Sequence, residues 1–498
     1  MNFLIKIPSL KLKNTTIILL IAICLAFFVG ILVGSGSYIL IVALMSLIPA
    51  CIVLKRPDIS LALLAAFTLL IAGTIKYFLG LGQFQWILSG LGVLLLAYAA
   101  LQHTFTPFIA TSEDPGFLAL IGLWWAILLF GSAANNLPML DWLVGVRIYL
   151  PVFGVFAYIA YCYPSERLLK GILFFMLTVG SVQWVFCIYQ KLLIVPLRLA
   201  GHYPGSAWDS IVGTFGGDKF GGGESGSLGV YLSLMATLAI ALHKQEQLKT
   251  FWFFLIFVSS FAAMAMVESK IIALMIPAGF FLVYREYAFK KPIAFISGSI
   301  AVAILMACLL IAYYYLYWQT DDNKGLLDAL YDRFAYSFDP KFQPSTTNLG
   351  RVKSLVFWWD RHALLDNPLT ILFGHGLASA VSSSSIIGTG VAVRAQAVML
   401  DVTGISKLLW ETGVVGSLVF ISIFVLGFFR ARKLKSNSAL PPWHRAAMTG
   451  VEAAFALMPF TIFYEVTIVS SPPMQFAAMF FLGYVAYWWR ENHHTTYG

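Results

Sequence analysis

The chain has 498 residues, of which 60% are hydrophobic and only 11% charged, with a mean hydropathy of +0.83. That balance excludes the string of soluble domains the length alone would allow, because apolar stretches of about 20 residues recur with short polar gaps between them. The net charge of +9 does not point to a nucleic-acid partner, since the cations are scattered through short loops, where they set membrane orientation.

The pattern reads as an all-α polytopic membrane protein of about fourteen spans. In chain order the spans fall near residues 16–34, 37–54, 60–79, 84–102, 116–132, 143–162, 168–193, 227–243, 250–267, 270–285, 292–316, 404–429, 446–465 and 471–489. The first run follows Lys6, Lys11 and Lys13 and imitates a signal peptide, but it is too long and lacks a small-residue cleavage site, so it reads as a retained helix. With the N-terminus inside, the even-numbered turns carry Lys55 and Arg56; Arg167 and Lys170; Lys244 and Lys249; Arg285, Lys290 and Lys291; Arg430, Arg432, Lys433 and Lys435; and Arg490. Both termini are therefore expected on the cytoplasmic side. Cys24, Cys51, Cys162, Cys187 and Cys308 lie in or beside apolar runs with no metal-ligand spacing, so neither a disulfide framework nor a metal site is expected.

The organisation that follows is N-terminal spans over 1–194, a glycine-rich outward loop over 195–226, central spans over 227–316, a large outward loop over 317–403 and C-terminal spans over 404–498. The large loop exceeds the ~60 residues beyond which the positive-inside rule lapses, so its seven cations do not contradict its placement. Within it, Asn348 is placed to cap a helix in which Val352, Leu355, Val356 and Trp359 recur at helical spacing, with Asn367-Pro368 as its stop. This predicts an amphipathic helix on the outer interface. Gly374-His375-Gly376 reads as a tight turn, and Ser382 to Ser385 as a flexible connector.

Several residues stand where charge has a cost or a use. The segment from Arg198 to Gly229 is dense in glycine and contains His202, Asp209, Asp218, Lys219 and Glu224. Glycine content alone reads as a flexible linker; the charges beside spanning helices favour an anion cradle in which Lys219 neutralises a phosphate. Lys219 is followed by Phe220, so this is not a nucleotide-binding P-loop. Arg147 lies inside a span, where a cation costs about 2.5–3.5 kcal/mol unless it snorkels or is partnered. Arg198 ends another span, and Arg351 and Lys353 open the amphipathic helix, with Arg333 earlier in the same loop. Singly each is an interface anchor; converging, they suit a lipid diphosphate, which arginine's fork matches best. Asp401 precedes the span near Gly404, and Glu411 falls about two turns inside it, where it needs a cation or a wet cavity; Lys407 is a structural partner at i−4.

Five segments carry a resemblance: QWVFCIYQ (183–190), VGTFGGDKFGGGESGSLGVYLSL (212–234), VESKIIALMIP (267–277), LLDNPLTILFGHG (364–376) and LLWETGVVGSLVF (408–420). Together, in this order, they resemble the bacterial O-antigen polymerase and ligase superfamily, which includes Wzy-type polysaccharide polymerases and lipid A core O-antigen ligases. The resemblance implies a GT-C-like membrane glycosyltransferase of the inner membrane, acting without a cofactor or metal on undecaprenyl-diphosphate-linked oligosaccharide at the periplasmic face. Membrane lipids are further partners, a chain-length regulator protein is a candidate one, and no nucleic acid is expected. Ligases of the superfamily carry a His-x-[Asn/Ser/Gln]-x9-Gly-x-x-Gly pattern; counting back from Gly413 and Gly416, this chain has Asp401 at the His position and Thr403 at the next polar one. That departure favours polymerisation over ligation. The Arg-x10-Gly pattern of some polymerases is absent, since Arg198 meets Asp209 and Arg351 meets His362 at that spacing.

The expected site therefore comprises Asp401 or His202 as base, Arg198 and Arg351 as catalytic cations, and Lys219, Arg147, Arg333, Lys353 and Glu411 as substrate-binding groups. A lipid-linked oligosaccharide flippase would have short outer loops, and a solute transporter a midplane site on broken helices in paired positions.

Overall fold

A computed structural model describes residues 55–105, 116–200, 207–217, 223–267, 269–318, 325–362, 367–384 and 386–496. The runs near 16–34 and 37–54, and His202, Lys219 and Glu268, lie outside these residues. The chain divides into Met1–Ser60 and Leu61–Gly498, and the fold described here is that of the second unit.

Its helices are α1 (Pro57–Leu79, entering from the first unit), α2 (Gln85–Phe105), α3 (Gly116–Ala134), α4 (Met139–Tyr161), α5 (Glu166–Ala200), α6 (Ser225–Lys244), α7 (Thr250–Val267), α8 (Ile272–Tyr284) and α9 (Pro292–Tyr317). After them come four short helices of the large loop, α10 (Leu326–Phe338), α11 (Arg351–His362), α12 (Pro368–Phe373) and α13 (Val391–Gln396). The chain then returns to the bundle with α14 (Gly404–Lys435), α15 (Pro442–Tyr464), the single turn α16 (Thr467–Ser470) and α17 (Pro472–Thr496). Among the described residues no strand forms, and ten helices are long and apolar enough to cross a membrane. The protein is an all-helical, multi-pass membrane protein.

α6, α15 and α17 form the interior. Every residue of α6 from Ser227 to Leu242 is buried, and so is every residue of α17 from Met474 to Val485. A helix enclosed by protein need not be as apolar as one facing lipid, which is why α17 tolerates Gln475, whose amide donates to the Val469 carbonyl at 2.7 Å. α6 reaches this density through a stripe of small residues at i, i+4 spacing, Gly229, Ser233 and Thr237. A side chain at Gly229 would sit 2.6 Å from Ser269, in the turn that separates α7 from α8. α9 lies at the periphery, largely exposed and against α8.

Among the described residues three wide π turns interrupt the spans: Phe67–Ile71 in α1, Gln190–Ile194 in α5 and Tyr314–Trp318 at the end of α9. α14 is broken at Gly413 (φ 64°, ψ −168°). Non-helical backbone inside a bundle survives only where other protein groups satisfy it, and the first two π turns and this break receive segments entering from one end.

Candidate functional site

The first entering segment is Ser210–Gly217, buried throughout. Gln190, in the α5 π turn, accepts from the Val212 and Gly213 amides at 2.9 and 2.8 Å and donates to the Gly213 carbonyl at 2.8 Å. Gln183, two turns earlier, accepts from the Thr214 amide at 2.9 Å and donates to its hydroxyl at 2.8 Å. That hydroxyl in turn donates to the Leu69 carbonyl, inside the α1 π turn, at 2.6 Å. Gly213 (φ 57°) leaves no room for a side chain, which would collide with Gln183. This part of the loop is a built re-entrant segment, which corrects the flexible-linker reading: five described hydrogen bonds to two buried glutamines replace the solvent a linker would use.

The second entry is made by the large loop at the α14 break. Breaking the helix frees the carbonyls of Trp410 and Glu411, and the amides of His375 and Gly376 take them at 2.7 and 2.9 Å. The fit requires glycine on both sides: a side chain at Gly413 would overlap the Leu372–Phe373 backbone, and one at Gly374 (φ 72°) the Glu411–Thr412 backbone. Asn135, beyond the end of α3, donates to the Gly374 carbonyl at 3.1 Å, and Ser132 accepts from the Leu377 amide at 2.9 Å. Gly374-His375-Gly376 is thus a plug paired with a broken helix, not a free turn. Asn367 caps α12, accepting from the Thr370 amide at 3.4 Å.

Below the plug lies a cluster of ionisable groups. Glu411 is fully buried and accepts a short hydrogen bond from the Tyr149 hydroxyl of α4, while its other oxygen, Oε1, is buried without a hydrogen bond. Lys407, one turn earlier on α14 and also buried, donates to Ser470 at 2.8 Å and stands 5.8 Å from the Tyr149 ring centroid. Asp401 sits half-buried at the rim, close enough for its charge to act on Glu411 and Tyr149. Both its oxygens are used, one by the Ser382 amide at 3.1 Å and the other by the Ser382 hydroxyl; Ser382 is consequently held, where a flexible connector was expected. From Val414, just past the break, to Arg430 is sixteen positions of unbroken α14, about 24 Å of helix axis.

Arg351 is clamped beside this cluster. Its guanidinium donates to the Glu465 carboxylate at 2.5 Å, to the Tyr464 carbonyl at 2.6 Å and to Ser337 of α10 at 3.0 Å, and it lies 3.8 Å over the Tyr464 ring. The Glu465 carbonyl accepts from the Gly404 amide at the start of α14 at 3.1 Å, and a side chain at Gly226, in the first turn of α6, would approach Glu465 to 2.8 Å. The starts of α6 and α14 therefore meet at Glu465, and both entering segments share one end of the bundle. The connection 465–471 receives two cations, Arg351 on Glu465 and Lys407 on Ser470.

The other expected residues are placed separately. Arg147 is half-buried, 4.3 Å over the Trp86 ring and donating to the Gln85 side-chain amide oxygen at 3.5 Å, an anchor on the start of α2. Arg198 is buried in Val195–Ala200, at the end of α5. Lys353 is half-buried on α11. Arg333 belongs to α10, and its side chain lies outside the described residues, as do His202 and Lys219. α11 does not rest on its apolar face as an isolated interface helix: Trp358 is buried with Trp410, Leu400, Ala380 and Val393 in a small core of the loop, leaving Trp359 outward.

Tyr149, Glu465 and an aromatic box around His375 carry no signal in the sequence pattern, and Gln183 and Gln190 enter it only as the ends of the segment 183–190. His375 stacks on Trp410 with centroids 5.5 Å apart and faces His362 at 6.2 Å, which itself stacks on Trp358 at 4.7 Å. Burial pushes His375 down to about 4, with the neighbouring His362 acting in the same direction. Comparison with protein-family models and with curated proteins returns no match, so the functional reading rests on the chain's own residues.

Proposed function

We propose that the protein is a bacterial inner-membrane glycosyltransferase of GT-C-like architecture with about fourteen spans and both termini cytoplasmic, which polymerises undecaprenyl-diphosphate-linked repeat units at the periplasmic face. The observation that carries this reading is the paired entry of the two outward loops at one end of the bundle. It gathers parts of four of the five segments that carry the family resemblance, 183–190, 212–217, 374–376 and 408–416, into two interlocked joints. A flippase is expected to have short outer loops, whereas the loop over 317–403 has 87 residues.

In the proposed reaction an acceptor sugar hydroxyl on one lipid-linked repeat attacks the anomeric carbon of the chain carried on another lipid. The new C–O bond forms as the bond from the anomeric carbon to the diphosphate oxygen breaks, and undecaprenyl diphosphate leaves with the electron pair. The hydroxyl proton passes to Asp401, whose rim position faces the loop side; weak base assistance suffices for an oxocarbenium-like transition state. Arg198, Lys219 and Arg351 are the cations assigned to the departing diphosphate, with Arg147 and Arg333 in reserve. Arg351 would serve while still clamped, its orientation fixed by Glu465 and Ser337. Glu411, Tyr149 and Lys407 hold the floor beneath Asp401.

The test is to incubate the purified protein in vesicles with its lipid-linked repeat and resolve the products by size. A ladder of multimers from the wild type, lost in Asp401→Asn with the protein still folded, is the expected result. A folded wild type that yields only the single repeat, or an undiminished ladder from Asp401→Asn, overturns the reading or the base assignment respectively.

A further inference from the structure

α10 presents large apolar side chains outward. Leu327 is 79% exposed, Tyr331 76% and Phe338 57%, and Phe334 stacks on Phe338 with centroids 6.2 Å apart. These positions follow i, i+4, i+7, i+11 spacing and lie on one stripe of the helix. Asp328 lies off that stripe, exposed. The inner rim is used differently: Leu330 packs on the main core, and Ser337 is buried and accepts from Arg351.

Two further observations say what covers the stripe. α10 packs directly on the π turn Tyr314–Trp318 that ends the spanning helix α9, so it sits at the level where that span leaves the hydrocarbon. The exposed surface is also continuous in kind with the end of α9, where Tyr315 and Leu316 are 65% and 42% exposed. A short helix with an apolar stripe rich in tyrosine and phenylalanine, beside the mouth of a span, matches the interfacial zone of a bilayer.

We infer that α10 lies in the membrane–water interface with Leu327, Tyr331 and Phe338 inserted at the boundary between lipid headgroups and acyl chains, and that it thereby fixes the depth of Arg351 through Ser337. The lipid contact concerns the bundle and its bilayer, and holds whether or not the chain is a polymerase. It also moves the interfacial role from α11, where the sequence pattern suggested it, to α10.

The experiment uses the full chain with its native cysteines replaced, carrying single nitroxide labels through Leu327→Cys, Tyr331→Cys, Phe338→Cys or Asp328→Cys. Each variant is reconstituted at high dilution in phosphatidylethanolamine–phosphatidylglycerol vesicles, and only those eluting as a single species with unchanged helicity are measured. Collisions with oxygen and with a water-soluble nickel chelate are compared by power saturation. The inference requires oxygen to dominate at 327, 331 and 338 and nickel to dominate at 328. Nickel dominating at all four places the stripe in water and overturns it. Exclusion of both reagents at the three stripe positions instead indicates a protein partner, a second copy included, and overturns it equally.

Discussion

Glu411 shows what a single buried carboxylate demands. It lies inside a long helix with one tyrosine as its hydrogen-bond donor and one lysine a turn away, an arrangement in which removing a partner leaves a charge or dipole stranded. Tyr149→Phe is therefore expected to cost about 1.5–3 kcal/mol, the worth of a hydrogen bond to a charged group, read as a lower unfolding midpoint in detergent. Glu411→Gln keeps an acceptor for Tyr149 and should cost less, and the double variant should lose less than the two singles combined. Strictly additive midpoints would mean the pair does not act as a unit. His375 makes a pH-dependent case. In the folded chain it takes a proton only near 4, against about 6.5 when unfolded. Between those values the unfolded state holds more protons, so its contribution to stability rises with pH and is lost as pH falls from about 6.5 toward 4. The unfolding midpoint of His375→Gln should accordingly fall less steeply over that window than that of the wild type; parallel profiles would remove His375 as the cause. The sequence marked Asp401, Glu411 and Arg351 because charge beside or inside an apolar run is visible without partners. Tyr149 and Glu465 were not legible in the same way. Tyrosine is ordinary in a span, and Glu465 reads as a span end until Arg351, far away in sequence, is seen on it.

At the scale of the element, the broken α14 helix is the feature on which the site is built. Apolar periodicity continues through Gly413, so the pattern shows one span there; only the shape of the neighbouring backbone requires the interruption. Gly413→Ala would place a side chain at φ 64° against the Leu372–Phe373 backbone. The conformational strain alone is about 1–3 kcal/mol, and since backbone cannot move aside as a side chain does, a larger loss of folded protein is expected. Gly171→Ala on α5 is the control: its site is open and helical, so the exchange should be neutral or stabilising by about 0.5–1 kcal/mol. Equal behaviour of the two in a thermal-shift measurement would show that the joint is dispensable. Gln183 and Gln190 illustrate the same limit of pattern reading. Two glutamines at heptad spacing in an apolar run look like minor polar interruptions, and their meaning lies in the Val212–Thr214 backbone they bind.

At the scale of the molecule, the site, the plug and α10 all gather at the end where α14 begins, while Arg430, Arg432, Lys433 and Lys435 lie in the last turns of α14, at its other end. In the proposed orientation the latter end is cytoplasmic, and every element of the proposed chemistry then faces the periplasm. One helix carries the distinction: Ser383, in the loop before α14, and Ser438, just after it, are both exposed and α14 crosses once between them. Ser383→Cys should react with a membrane-impermeant maleimide added to cells whose outer envelope alone is permeable, and Ser438→Cys only after the inner membrane is lysed. Among the described residues the exposed native thiol is Cys308, within the spanning helix α9, and it should stay unlabelled in both conditions, because a charged, impermeant maleimide does not enter hydrocarbon. The reverse pattern would turn the loops toward the cytoplasm, where lipid-linked repeats are assembled rather than joined, and the polymerase reading would fall even if the geometry of the site stood.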